Sequence, residues 1–267
     1  MPSEPGAAQA APCIRARGLG VRFGDLSVIE GLDFTIQSGE FVSLLGPSGC
    51  GKSTLLRAVA GLIEPSAGSV ELGGPGPVGG AAAADIRLGL VFQKPLLLPW
   101  RTTLENVLLP VEIELGGSSV RDIDLSRARR VLKLVRLAEF EKVYPHQLSG
   151  GMQQRAAIAR ALMSDPEILL MDEPFGALDE LTREALNEEL LQIWLSSETR
   201  LKTAVMVTHS IPEAVAMSDR IFVFGPRPAR SVAVVEIALA HPRSPDSAEF
   251  ARTVGQVRKL VRSLGTQ

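Results

Sequence analysis

Residues Gly46, Pro47, Ser48, Gly49, Cys50, Gly51, Lys52, Ser53 and Thr54 follow one another between an apolar run at 41–45 and a helical pattern at 55–62. Strand, glycine-rich loop and helix in that order make a cradle for phosphate. The three glycines let the backbone curl until several N–H groups point inward, and the helix start adds the positive end of its dipole. Lys52 is placed to reach the β- and γ-phosphates as a point charge. The Ser53 hydroxyl is placed to ligate the magnesium ion that accompanies a nucleotide. A mere glycine-rich turn would leave the strand before it and the helix after it unexplained. Cys50 reads either as a thiolate favoured by the helix terminus or simply as a small residue that fits.

A second helix start lies at Leu148-Ser149-Gly150-Gly151-Met152-Gln153-Gln154-Arg155, where Ser149, Gly150 and Gly151 open a helix that runs through 156–162. It is a second phosphate-binding surface in one chain. Shortly after it, the apolar strand 168–171 ends in Asp172-Glu173, while Gln93 closes the strand 88–92 and His209 follows the strand 204–207. Strands alternating with helices predict a mainly parallel α/β sheet, with sites at the strands' carboxyl ends. Gln93, Asp172, Glu173 and His209 therefore can converge on the phosphate loop. Taken singly, His209 reads as a structural histidine and Glu173 as a helix-start carboxylate. Their spacing from 46–54 favours a shared site instead. His146 and His241 lie outside this set, and neither a zinc cluster nor a Ser/His/Asp set is indicated.

These residues need elements to hold them. Apolar residues bounded by turn signals predict a strand pair at 14–23 and 28–36, with Phe23 at its turn, and further strands at 69–72 and 221–224. From 94 to 166 the pattern becomes helical, with helices at 102–109 and 126–140, which predicts an inserted helical subdomain. The cluster Arg127, Arg129, Arg130, Lys133 and Arg136 resembles a nucleic-acid patch, but Ala128, Val131, Leu132, Val135 and Ala138 form an opposing apolar stripe. A solvated helix face is the better reading. An amphipathic helix follows at 181–195. Phe250, Val254, Val257, Val261 and Leu264 form another stripe, with basic residues between them, that could lie on a membrane or dock on the protein itself.

Composition bounds the answer. The 267 residues suffice for one large domain with a subdomain, and a net charge of −2 gives no general pull toward nucleic acid. Two cysteines cannot build a disulfide framework, so a reducing compartment is the simplest reading. No window approaches the roughly 20 apolar residues that span a bilayer. Residues 1–12 are Ala/Pro-rich and read as a disordered tail, 73–84 as a Gly/Ala/Pro loop. The division expected is a tail at 1–12, a catalytic domain at 13–230 and a C-terminal extension at 231–267.

The motifs together resemble the ATP-binding subunit of an ABC transporter over most of 14–226. Residues 46–53 are similar to that family's Walker A, 148–155 to its signature, 168–174 to its Walker B with the adjoining glutamate, Gln93 to its Q-loop, Ala177-Leu178-Asp179 to its D-loop and His209 to its switch histidine. The resemblance implies a P-loop ATPase fold with an antiparallel β subdomain. It also implies roles, each with a physical reason: Asp172 holds magnesium, Glu173 orients and deprotonates water, His209 contacts the γ-phosphate, and Gln93 senses magnesium and water. Phe23 would stack on adenine where relatives often carry tyrosine. Ser210 departs from the aspartate that many relatives place after the switch histidine.

Importer, exporter and non-transport members of the family compete as readings. A single cassette without long coiled coils or fused membrane helices favours a transport subunit that works with a separate permease. Residues 91–107, 175–182 and 224–229 resemble the nitrate/sulfonate/taurine importer branch. Other oxyanions, cyanate or a pyrimidine vitamin precursor remain open as solutes. The resemblance thus implies a head-to-tail dimer on the cytoplasmic face of the membrane, sharing ATP between Lys52 of one copy and Ser149 of the other. Its partners would be a permease, met near Leu97, Leu98 and Trp100, and indirectly an extracytoplasmic solute-binding protein, with no nucleic acid.

Overall fold

A computed structural model of the chain describes residues 12–73, 86–116 and 119–265. The tail expected at 1–12 and the loop expected at 73–84 lie, but for Pro12 and Gly73, outside these residues. In chain order the elements are β1 (Pro12–Phe23), β2 (Leu26–Gln37), β3 (Phe41–Leu45), α1 (Lys52–Val59), β4 (Ala67–Leu72) and β5 (Leu88–Val91). There follow α2 (Thr103–Glu114), α3 (Asp122–Leu134), α4 (Gly150–Met163), β6 (Ile168–Asp172), α5 (Glu180–Leu195), β7 (Thr203–Val207), α6 (Ile211–Met217), β8 (Arg220–Phe224), β9 (Val232–Glu236) and α7 (Ala248–Gly265).

Two sheets result. The larger runs β5-β6-β7-β3-β8-β9, parallel except for β9, which pairs antiparallel with β8. Strands β3, β6 and β7 are buried along their whole length, which is why they read as unbroken apolar runs rather than alternating ones. The smaller sheet is antiparallel in the order β2-β1-β4, and alternation along β2 marks a sheet buried on one face. A core joins the two sheets, with Phe34 edge-on to Phe222 at 6.0 Å. A second core packs α2, α3, α4 and α5 together, and a third lies beneath α7.

Three expectations about the helices are corrected. The helix expected at 126–140 starts earlier and stops at Leu134, and only a short turn of 3-10 helix follows at Ala138–Phe140. Arg136 adopts φ 55° and ends the helix with a left-handed residue, so that Leu137 enters the core while Ala138, expected in the apolar stripe, faces solvent. The helix α2 continues through Pro110 to Glu114 instead of stopping at 109. Its buried face, Val107, Leu108 and Val111, offsets the lost backbone bond. Short α6 and edge strand β9 carry no periodic signal of useful length and were not expected.

The pattern read at 55–62 is also shifted, since α1 starts at Lys52 and ends at Val59, whereas the helices read at 181–195 and after Ser149 are present. Arg127, Arg129 and Arg136 form ion pairs with Asp165, Glu141 and Glu189, as fits a solvated, paired face. The stripe of α7 docks on the protein itself: Phe250, Val254 and Val257 are buried against Val215, Ile221, Val223 and Ile237. Among the described residues, no helix is long and apolar enough to cross a membrane.

Candidate functional site

The phosphate loop leaves β3 at Gly46 and enters α1 at Lys52. Two of its glycines, Gly46 and Gly51, are required by close approach as well as by conformation. A Cβ at Gly46, φ 155°, would lie 2.9 Å from both Cβ and the carbonyl oxygen of Phe224, and one at Gly51, φ 112°, would lie 3.0 Å from Val28. The loop is thus clamped between β8 and β2. Lys52 is buried, and its ammonium donates to the carbonyls of Gly46 at 2.9 Å and Pro47 at 3.0 Å. Cys50 is buried too, and burial pushes its thiol up despite the neighbouring Lys52. The thiolate reading falls; a small residue that fits remains.

Beyond the loop, the carboxyl ends of the strands deliver the polar side chains. The Ser53 hydroxyl, in the first turn of α1, donates to Asp172 Oδ1 at 2.6 Å, and the Arg57 guanidinium stands 3.6 Å from Asp172 Oδ2. Glu173 follows β6 with φ 48°, a rare conformation for a side-chain-bearing residue, and its N–H donates to Val207 O at 3.1 Å. That turn points the carboxylate between two partners. Gln93 Nε2 donates to Oε2 at 3.0 Å, and His209 Nε2 meets Oε1 in a very short contact.

A cleft of about 300 Å³ gathers Ser48, Gly49, Gly51, Lys52, Ser53, Thr54, Glu173 and His209 with two residues that the sequence reading missed, Val28 and Arg227. Val28 could have been found only from its contact with Gly51. The signal for Arg227 was faint, since the stretch 224–229 stood out only by its likeness to one branch. Phe23 does not line this cleft; it sits at the β1–β2 turn with about half its surface exposed, so it is not a core residue.

The second surface stands apart. Ser149 caps α4 by accepting the Met152 N–H at 3.3 Å, and Ser149 and Gly150 are exposed. Neither they nor Asp179 line the phosphate-loop cleft. Asp179 caps α5, and the Thr182 N–H, at 3.0 Å, holds its carboxyl below the usual range. Gly151 lets the two helices touch: a Cβ there would meet Thr182 Cγ2 at 2.9 Å. Ser210, the departure beside His209, caps α6 by accepting the Glu213 N–H at 3.3 Å.

A phosphate loop clamped at the carboxyl end of a central strand of a parallel sheet, with a carboxylate and a hydroxyl side by side and a second carboxylate aimed by an amide and an imidazole, defines a nucleoside triphosphatase of the P-loop class. The comparisons with known proteins narrow it. The family model described as "ABC transporter" matches residues 29–176. An uncharacterized ABC transporter ATP-binding protein of Methanocaldococcus jannaschii is 47% identical over 225 residues, covering 84% of this chain and 80% of its own. The aliphatic sulfonates import ATP-binding protein SsuB of Bacillus subtilis is 41% identical over 224 residues, 84% of this chain and 83% of its own. Among solved structures, the dimeric cassette MJ0796 in a post-hydrolysis state with ADP and Pi aligns at a TM-score of 0.68 with 33% identity, covering 85% of this chain and all of that one. The chain belongs to the ABC transporter family, as an ATP-binding, ATP-hydrolysing cassette.

Proposed function

We propose that the chain is the ATPase subunit that energises an importer for an aliphatic sulfonate or a related small solute such as nitrate or taurine. The observation that carries this reading is the continuous likeness to relatives named for sulfonate import, 41–42% identical over more than four fifths of both chains. In this reading 13–230 form the ATPase domain, 94–166 its helical subdomain, and 231–267 an extension.

ATP lies with its triphosphate along the phosphate loop and its adenine on Phe23. Gly46, Gly49 and Gly51 let the backbone N–H groups of 46–54 face the phosphates, and Lys52 exchanges its carbonyl partners for phosphate oxygens. The residues present suit magnesium. The Ser53 hydroxyl and Asp172 carboxylate are hard oxygen donors already 2.6 Å apart, and this ion prefers one or two carboxylates with phosphate and water over an all-protein cage. Ser53 and Asp172 would hold it, with Gln93 beside them, and when bound it supplies charge for the leaving phosphates. Glu173 takes the proton from water, and His209 fixes its carboxylate and reaches the γ-phosphate. Ser149 and Gly150, on the helix start of a second copy, close over that phosphate, with Gly151 and Asp179 supporting them.

The partners are then a second copy of the chain and a permease at the cytoplasmic face of the membrane. Trp100, 71% exposed, and Leu96, 56% exposed, stand beside half-buried Leu97 and Leu98 just after Gln93, an apolar patch of the kind that marks an interface. Reconstitution of the chain with its permease tests the whole reading. ATPase activity is expected to rise with a sulfonate and its binding protein, and Trp100→Ala is expected to lose that rise. Stimulation by an unrelated solute alone would overturn the sulfonate assignment.

A further inference from the structure

We infer that Arg227 is a nucleotide-binding residue of this chain, its guanidinium meeting the ribose and α-phosphate of ATP between the Phe23 turn and the phosphate loop. The inference rests on the ATP site proposed above and adds a contact that the loop motifs do not supply. Arg227 lines the phosphate-loop cleft together with Val28, Lys52 and Thr54. Among the described residues it is exposed and has neither a hydrogen bond nor an ion pair. Two other exposed arginines are committed elsewhere: Arg57 to Asp172 at 3.6 Å and Arg230 to Glu30 at 3.2 Å.

The backbone beneath Arg227 is fixed although its side chain is not. The Ala229 N–H donates to Val28 O and the Glu30 N–H to Ala229 O, both at 2.9 Å, so Ile29 and Ala229 form a parallel bridge beyond the end of β8. Two residues back along both segments lie Arg227 and Ser27, and Ser27 pairs with Arg22 next to the turn that carries Phe23. The same Val28 packs against Gly51 of the phosphate loop. Arg227 therefore stands on a short ribbon that joins the base end of the cleft to its phosphate end.

Charge decides which part of the nucleotide it meets. The γ end of the cleft already has Lys52 and His209, and the N–H groups of the loop serve the β-phosphate. Among the described residues, no cation other than these two and Arg227 lines the cleft. An arginine fork suits the ribose hydroxyls and α-phosphate oxygens, to which it can donate in pairs.

Calorimetry on the full chain with ADP and with inorganic tripolyphosphate tests this. Arg227→Gln is expected to weaken ADP by about tenfold and tripolyphosphate, which lacks the ribose but keeps a phosphate at the α position, by about threefold, and to raise KM for ATP far more than it lowers kcat. Arg227→Lys should recover part of the ADP affinity, and it carries the test if the glutamine variant melts early. Unchanged ADP affinity in a folded variant overturns the inference, and an equal loss of tripolyphosphate overturns the placement. Lys52→Ala runs beside them. If it loses tripolyphosphate while Arg227→Gln changes nothing, only Arg227 has failed, and if it too changes nothing, the ATP site itself is misread.

Discussion

The two phosphate-binding surfaces of this chain are built in opposite ways. The loop at 46–54 is enclosed: Phe224 and Val28 press on Gly46 and Gly51, Lys52 is buried along it, and Glu173 and His209 line one cleft with it. The helix start at 149–151 is open, capped only by its own serine and supported from behind by α5. An enclosed surface can select a ligand alone. An open one needs completion from outside, which is why the function proposed above gives each chain one half of a site to keep and the other half to lend to a second copy.

The strongest test removes the chemistry from the enclosed half alone. Glu173→Gln keeps the shape beside Gln93 and His209 but removes the base, and steady-state turnover is expected to fall by at least about a hundredfold with ATP binding retained. It should also trap a dimer on size exclusion. Near wild-type hydrolysis would take Glu173 out of the role.

Mixing two inactive chains asks whether the open half is lent to a partner. Lys52→Ala damages only the enclosed surface and Ser149→Arg only the open one, so a mixed dimer with shared sites puts both defects in one site and leaves the other whole. Activity is expected to return to roughly a quarter of wild type, as half the dimers are mixed and each has one intact site. If mixed dimers form and stay silent, the surfaces act within one chain.

A smaller effect probes the support behind the open half. Gly151→Ala pushes a methyl to 2.9 Å from Thr182 Cγ2, and overpacking of this kind costs about 1–3 kcal/mol. Adding Thr182→Ala, which removes that methyl, should restore much of the melting temperature. Strict additivity of the two changes would show that the contact does not couple α4 to α5.

The smallest effect lies where the two halves connect. Glu213 is buried, its Oε2 in a very short contact with the Thr208 hydroxyl beside His209, and Asn187 and Arg183 of α5 also face it. Burial pushes its carboxyl up, outweighing these partners. With the folded state holding its proton more tightly than the unfolded one, stability is greater at low pH and declines as pH rises through the raised value. Glu213→Gln stays neutral, so its melting temperature should gain on that of wild type as pH rises from 5 to 8. Parallel melting curves across that range would remove the connection.

Much of this was legible in the sequence because the site lies where local patterns are strong. Buried parallel strands announce themselves as apolar runs, so the residues just past them, Gln93, Asp172, Glu173 and His209, could be placed at one edge before any fold was known. Where the signal was tertiary, it failed. Arg136 ends α3 because Leu137 has a core to enter, and Pro110 stays inside α2 because three apolar neighbours bury around it, neither of which periodicity records. Arg227 is held at the cleft by a single bridge between nearby Ala229 and Ile29, two hundred residues apart in the chain, and β9 exists only because β8 offers it an edge.

The left-handed turn at Glu173 sets a price on activity. A side chain at φ 48° costs about 1–2 kcal/mol that glycine would not incur, while the backbone bond to Val207 needs no side chain. Selection for robustness alone would therefore drift this position toward glycine, yielding a chain that folds as firmly as before but without the base proposed above.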